Sequence, residues 1–106
     1  GYLAAIMQTQ EYLYALGWNI RYQRVKRGLL QQELADACGF AKSAMCCIEN
    51  GKNIEIATLI TICRNLNLQI WQITRVTASW RKRIKRIIKM EEKLKLEKRK
   101  QKPKRY

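Results

Sequence analysis

Residues 31–51, QQELADACGFAKSAMCCIENG, contain two short apolar patterns separated by Gly39 and closed by Asn50-Gly51. Leu34, Ala35 and Cys38 fall on one face of a short helix, with the small Ala35 where a second helix must come close. Gly39 suits the left-handed C-cap at which a chain turns sharply. Lys42 to about Glu49 then forms a second helix that buries Met45 and Ile48, with Phe40 beneath it. Two short helices joined by a glycine turn make a helix-turn-helix unit.

The flanks extend the same helical pattern. Thr9-Gln10-Glu11 can open a helix, and Leu13, Leu16, Ile20 and Val25 fall near helical spacing until Gly28 stops it, which predicts about 15–18 residues. Residues 1–8, GYLAAIMQ, are uncharged and can extend this helix, pack on a partner or be disordered. Downstream, Ile56, Leu59, Ile60, Cys63 and Leu66 follow the 3.6-residue period and predict a fourth helix ending near residues 65–67. Leu68, Ile70 and Ile73 supply a short fifth helix that closes the core. No strand-like alternation of convincing length is present, so the expected fold is all-α.

The 106 residues suffice for one core and an appendage. No run approaches the roughly 20 apolar residues of a membrane span. With no signal-peptide pattern at the front, a soluble, cytoplasmic protein is expected, membrane association is not, and no cofactor is implied. The four cysteines, Cys38, Cys46, Cys47 and Cys63, make no pair of C-x-x-C knuckles, and the chain has no His, so no metal site is expected. Reduced, partly buried thiols are the better expectation for Cys38 and Cys63. Without His or a glycine-rich phosphate loop, and with only eight scattered carboxylates, the chain is not expected to be an enzyme.

The net charge of +14 is concentrated at one end: residues 75–106 carry 15 Lys and Arg against three Glu, a net of +12, which leaves +2 for residues 1–74. A nearly neutral globule carrying a polycation implies a polyanionic partner, nucleic acid before an acidic membrane.

The run from Asn19 to Ile70 resembles the Cro/repressor-type helix-turn-helix family of bacterial and phage regulators. The resemblance rests on Ile20, Arg21, Arg24, Gly28, Leu29, Gln31, Glu33, Leu34, Ala35, Gly39, Ser43, Ile48, Glu49, Asn50, Gly51 and Thr58-Leu59, spaced as Q-x-E-L-A…G…I-E-N-G. It covers about half of the chain. It implies a five-helix DNA-binding domain over residues 15–74, preceded by an N-terminal extension or start of the first helix (1–14) and followed by a basic helical tail (75–106).

The resemblance further implies that the helix from Lys42 to Glu49 lies in the major groove of double-stranded DNA with its first residues on base edges. Lys42, Ser43 and Cys47 match base-reading positions, with Cys46 beside them on the exposed arc. Lys42 can donate to guanine O6 or N7, and Ser43 can donate or accept. Gln31 and Asn50 match phosphate-contacting positions, and Lys52 joins them as a basic neighbour. Arg24 and Glu49 match a pair that the family joins by a partly buried salt bridge, which would aim the recognition helix. The sequence departs from the family where Leu30 and Ala41 replace polar helix caps, each costing about 1 kcal/mol. Cys46 and Cys47 also stand where polar or basic readers are commoner. A redox switch at these thiols is a weaker reading, since adjacent cysteines form no easy unstrained bridge.

In the tail, Ser79 can cap a helix from Trp80, and Trp80, Ile84, Ile87, Ile88 and Leu94 trace an apolar stripe among basic residues. The stripe suits a dimer seam, a dock on the core, or a face that folds only on a partner. Past Leu96 the chain lacks core residues and is expected to be disordered. The Lys and Arg residues there, together with Arg81, Lys82, Arg83, Lys85 and Arg86, would add sequence-independent, salt-sensitive affinity for phosphates. The function expected is a sequence-specific, nucleoid-associated transcriptional regulator, a repressor first, acting as a homodimer. The alternatives are an antitoxin that also grips a toxin partner, and an RNA-binding or ribonucleoprotein-assembly protein that works through the tail.

Overall fold

The computed structural model describes residues 8–101, and the expectations for residues 1–7 and for residues 102–106 lie outside the described residues. Among the described residues six α-helices follow one another: α1 (Thr9–Lys26), α2 (Gln31–Cys38), α3 (Lys42–Glu49), α4 (Ile56–Asn65), α5 (Ile70–Thr74) and, after a 3-10 turn at Trp80–Arg83, α6 (Ile84–Gln101). Among the described residues there is no strand, and no helix is long and apolar enough to cross a membrane.

Local chemistry explains the turns. Gly39 has φ 77°, a left-handed conformation that L side chains adopt at a cost, and Phe40 N–H returns to Ala35 O at 2.8 Å to close α2. Leu30 has no side-chain acceptor, yet Glu33 Oε1 accepts from the Leu30 N–H at 2.8 Å, so half of a capping box survives. Gln72 does the same for Gln69 N–H at 2.8 Å before α5.

The core is built from Leu16 and Ile20 of α1, Leu34 and Ala35 of α2, Met45 of α3, Leu59, Ile62 and Cys63 of α4, Leu66 and Ile73. The fourth helix is rotated from its expected phase: Ile62 is fully buried, whereas Ile56 and Ile60 are 65% and 38% exposed. Leu59, Cys63 and Leu66 share a face with Ile62, and a continuous apolar run offers more than one such face, so packing chooses between them. Ile70, expected to close the core, is likewise 39% exposed.

α1 is the central strut, packed against α3, α5 and α6. Its polar side chains also close α5: Asn19 Nδ2 donates to Ile73 O at 2.7 Å and Arg75 O at 3.0 Å, and Tyr12 donates its hydroxyl to Thr74 O. These bonds satisfy carbonyls at a helix end and fix where the tail leaves the core.

The basic tail docks on this framework. Trp80, Ile87 and Leu94 are buried, while Ile88, placed on the same stripe by its spacing, is 39% exposed at its edge. Ser79 makes no cap bond, and the chain enters α6 through the 3-10 turn instead. The disorder expected past Leu96 does not begin there: α6 continues to Gln101, and Lys98 Nζ lies 3.2 Å from Glu33 Oε2. A domain boundary at residue 15 falls inside α1, whose first turns are the start of that helix.

The tightest backbone approach lies between α1 and α3. A Cβ placed on Gly17 would come within 2.4 Å of the Glu49 carbonyl oxygen and 3.0 Å of that of Ile48. In an open helix Gly→Ala stabilises by about 1 kcal/mol. Here the obstacle is backbone at the end of α3, so Gly17→Ala should instead destabilise, by roughly 1–3 kcal/mol for an overpacked contact. Denaturant midpoints of the two proteins would decide, and a more stable variant would mean that α1 and α3 separate freely.

Candidate functional site

The site grows from one carboxylate. Glu49, the last residue of α3, is 2% exposed, and its partner Arg24 on α1 is fully buried. Arg24 Nε donates to Glu49 Oε2 at 2.7 Å and Arg24 Nη2 to Glu49 Oε1 at 3.0 Å, a two-point bond between planar groups. Oε1 also accepts from Arg21 Nε at 3.2 Å and from the Gln31 amide at 2.9 Å. One carboxylate therefore joins α1, α2 and α3.

Arg24 has further duties. Its Nη1 donates to Leu29 O at 2.7 Å, which pins the loop between α1 and α2. Its Nη2 also meets Glu91 of α6, whose other oxygen lies 3.9 Å from Arg21 Nε. Two arginines face two glutamates, so the cluster is neutral as a whole. Burial opposes the Arg24 charge, but bonds from Glu49 and Glu91 outweigh it and raise its pKa above the usual value. Burial likewise pushes the Glu91 carboxyl upward, and Arg24 more than offsets this, holding it below the ordinary carboxylate range.

α3 turns its other side to solvent. Lys42, Ser43 and Cys47 are exposed, whereas Cys46 is half-buried and its sulfur accepts from Asn50 Nδ2 at 3.4 Å. With Glu49 turned inward, no carboxylate of α3 faces outward, and no side chain caps its N-terminus. Ser43 and Cys47 form one wall of an open cleft of about 480 Å³ whose other wall includes Lys52, Asn53 and Thr58. Asn50 and Lys52 are exposed at the end of α3. Gln31, matched to a phosphate contact in sequence, spends its amide on Glu49.

The basic side chains in the first part of the tail fall in three settings. Arg81 stacks on Trp80 at 4.4 Å and lies 3.1 Å from Glu11, whereas Lys82, Lys85, Arg86, Lys89 and Lys93 line an outward face of the tail around Met90. Arg83 is exposed beside Arg75 in a separate depression edged by Tyr22, Trp71 and Trp80. Cys38 and Cys63 are pushed toward the neutral thiol by burial, and all four cysteines are free. Among the described residues, no group of three or more Cys, Asp and Glu is arranged to hold a metal ion.

Sequence reading missed Glu91, counted only as one of the tail's few acids, and gave Arg21 no role. A signal for Glu91 existed. Ile84, Ile87, Glu91 and Leu94 are spaced 3, 4 and 3 apart, so an acid occupies an inward position of the apolar stripe. Comparison of the chain with protein-family models and with curated proteins finds no match.

Removing one partner of a buried pair strands the other, at a cost of about 3–5 kcal/mol. Glu49→Ala and Arg24→Ala should each fall in that range, and their double mutant should lose less than the sum, read by denaturant unfolding. A sum matched within about 0.3 kcal/mol would deny the pair its coupling.

A pH dependence follows from Glu91. Its folded-state pKa lies below its unfolded one, so its stabilisation is present above the unfolded value of about 4.3 and is lost as pH falls through the folded value. Stability should therefore decline on acidification below about pH 5, and Glu91→Gln should flatten that decline while lowering stability at neutral pH. Parallel acid profiles for the two proteins would remove Glu91 from the account.

Proposed function

We propose that the protein is a sequence-specific double-stranded DNA-binding transcriptional regulator of the Cro/repressor helix-turn-helix type, with α3 as the helix that enters the major groove. One observation carries the reading: α3 presents Lys42, Ser43 and Cys47 outward while its Glu49 is gripped from behind by Arg24, Arg21 and Gln31. Major-groove readout needs a rigidly aimed helix of this kind, because base-edge hydrogen bonds tolerate little misplacement.

Charge supports the same partner. The outward face of α3 lacks a carboxylate, Lys52 stands at its end, and the tail adds exposed Lys82, Lys85, Arg86, Lys89 and Lys93. Contacts from these residues to phosphate would raise affinity without discriminating sequence, and would fade with salt. A homodimer on a two-fold operator would place its half-sites about one helical turn apart, on the order of 34 Å. The apolar stripe of the tail is spent inside the protomer, so the pairing surface lies elsewhere, and exposed Ile56 and Ile60 on α4 offer apolar area for it.

RNA is the second reading, favoured by the outward basic face of α6, which offers the same phosphate contacts to any nucleic acid. Selection of bound sequences from random duplex DNA tests the first reading. Lys42→Ala and Ser43→Ala should then each cost about 1–3 kcal/mol on the selected duplex and little on random DNA. Equal losses on both, or tighter binding to a structured RNA with no duplex preference, would replace base reading by the RNA alternative.

A further inference from the structure

Three ion pairs mark the course of the tail across the globule. Near the tail's start, Arg81 Nη1 lies 3.1 Å from Glu11 Oε1 in the first turn of α1. Midway, Glu91 meets Arg24 close to the end of α1. Farther on, Lys98 Nζ lies 3.2 Å from Glu33 Oε2 in the first turn of α2. The contacts advance in the same order along both segments, so α6 runs parallel to α1, passes its end and finishes beside the N-terminus of α2.

That finish is strongly basic. Lys98, Arg99 and Lys100 form the last turn of α6. Lys98 is held by Glu33, whereas Arg99 and Lys100 are exposed and, among the described residues, take part in no ion pair. Gln31, matched by resemblance to a phosphate contact, begins the helix on which Glu33 sits. The same Gln31 donates to Glu49, so α2 meets the end of α6 at Glu33 and the end of α3 at Gln31.

We propose that the last turn of α6, through Arg99 and Lys100, is a second DNA-contacting element, whose partner is the duplex phosphate backbone flanking the base pairs that α3 reads. This rests on the DNA-binding reading and deepens it. A flexible basic tail would spread over any nearby phosphate and lose conformational freedom on binding. A docked helix has already lost that freedom: Ile87 and Leu94 are buried against the globule, Glu91 meets Arg24 of α1, and Lys98 lies beside Glu33 of α2. The contact therefore lengthens the protected site by a defined step on one side of each half-site. It adds affinity without adding base discrimination.

The test compares two double variants of the full chain with the same loss of charge. Arg99→Ala/Lys100→Ala removes the proposed contact, and Arg64→Ala/Arg75→Ala removes two exposed charges, near the end of α4 and just past α5, that lie outside the proposed DNA-contacting set; none of the four side chains lies in an ion pair among the described residues. Hydroxyl-radical footprints and salt titrations are run on a duplex carrying the selected site with natural-length flanks. The Arg99/Lys100 variant should lose protection at the flanking phosphates, keep it across the central site, and lower the salt slope by roughly 0.9 for each contact removed. The Arg64/Arg75 variant should keep the full footprint. Equal changes in both variants, or a flank unchanged in the first, would overturn the proposal and leave DNA reading by α3 intact. A wild-type chain that protects no duplex at all would overturn both together.

Discussion

A buried guanidinium bound to a buried carboxylate, Arg24 to Glu49, is the constraint on which the arrangement of the helices turns. Taking two charges out of water costs several kcal/mol for each ion, and their attraction repays this only when the remaining donors and acceptors find partners. They do so here: Arg24 also reaches Leu29 O and Glu91, Glu49 also accepts from Arg21 and Gln31, and no buried side-chain nitrogen or oxygen among the described residues lacks a partner. Since such pairs roughly break even against apolar packing, their value lies in direction. A two-point bond between planar groups permits little rotation of α3 about its own axis.

The approach of α1 to α3 serves the same end. Gly17 lets the end of α3 sit against the α1 backbone, which brings Glu49 within reach of two arginines on the same helix. Arg21 and Arg24 are three residues apart and so share a face of α1, and both guanidinium groups converge on one acceptor. Close packing and ion pairing thus depend on one another at this junction, and neither would hold its geometry alone.

The tail resolves a tension in the charge distribution. A segment with a net charge of +12 would repel itself if left free, yet its first two-thirds are laid along the globule by burial of Trp80, Ile87 and Leu94. The globule's acids meet it as α6 passes: Glu11 with Arg81 and Glu33 with Lys98, while the tail's own Glu91 enters the central cluster. Exposed pairs of this kind contribute little individually. Their effect is to engage acids on the docked side, so that the outward side of α6 is left mainly positive, with Glu92 and Glu97 as its exposed acids.

The helical character of the chain and the limits of α2 and α3 were legible from residues 31–51, because turns at Gly39 and Asn50-Gly51 and the 3.6-residue spacing are local properties of the backbone. The outward position of Lys42, Ser43 and Cys47 was legible for the same reason, as the complement of Met45 and Ile48 on a short helix. The phase of α4 was not, since its mostly apolar sequence supports several buried faces and only contact with α1, α2 and α3 side chains in the core selected Ile62 over Ile60. Nor was the order past Leu96, where nothing in EKRKQ predicts a core, yet the helix runs on to Gln101 with Lys98 beside Glu33, 65 residues away in the chain. Glu91 is the clearest case. Its spacing marked it as inward-facing, but its partner, 67 residues earlier, is defined only when α6 lies parallel to α1, because an ion pair depends on distance in space and a sequence records distance along the chain.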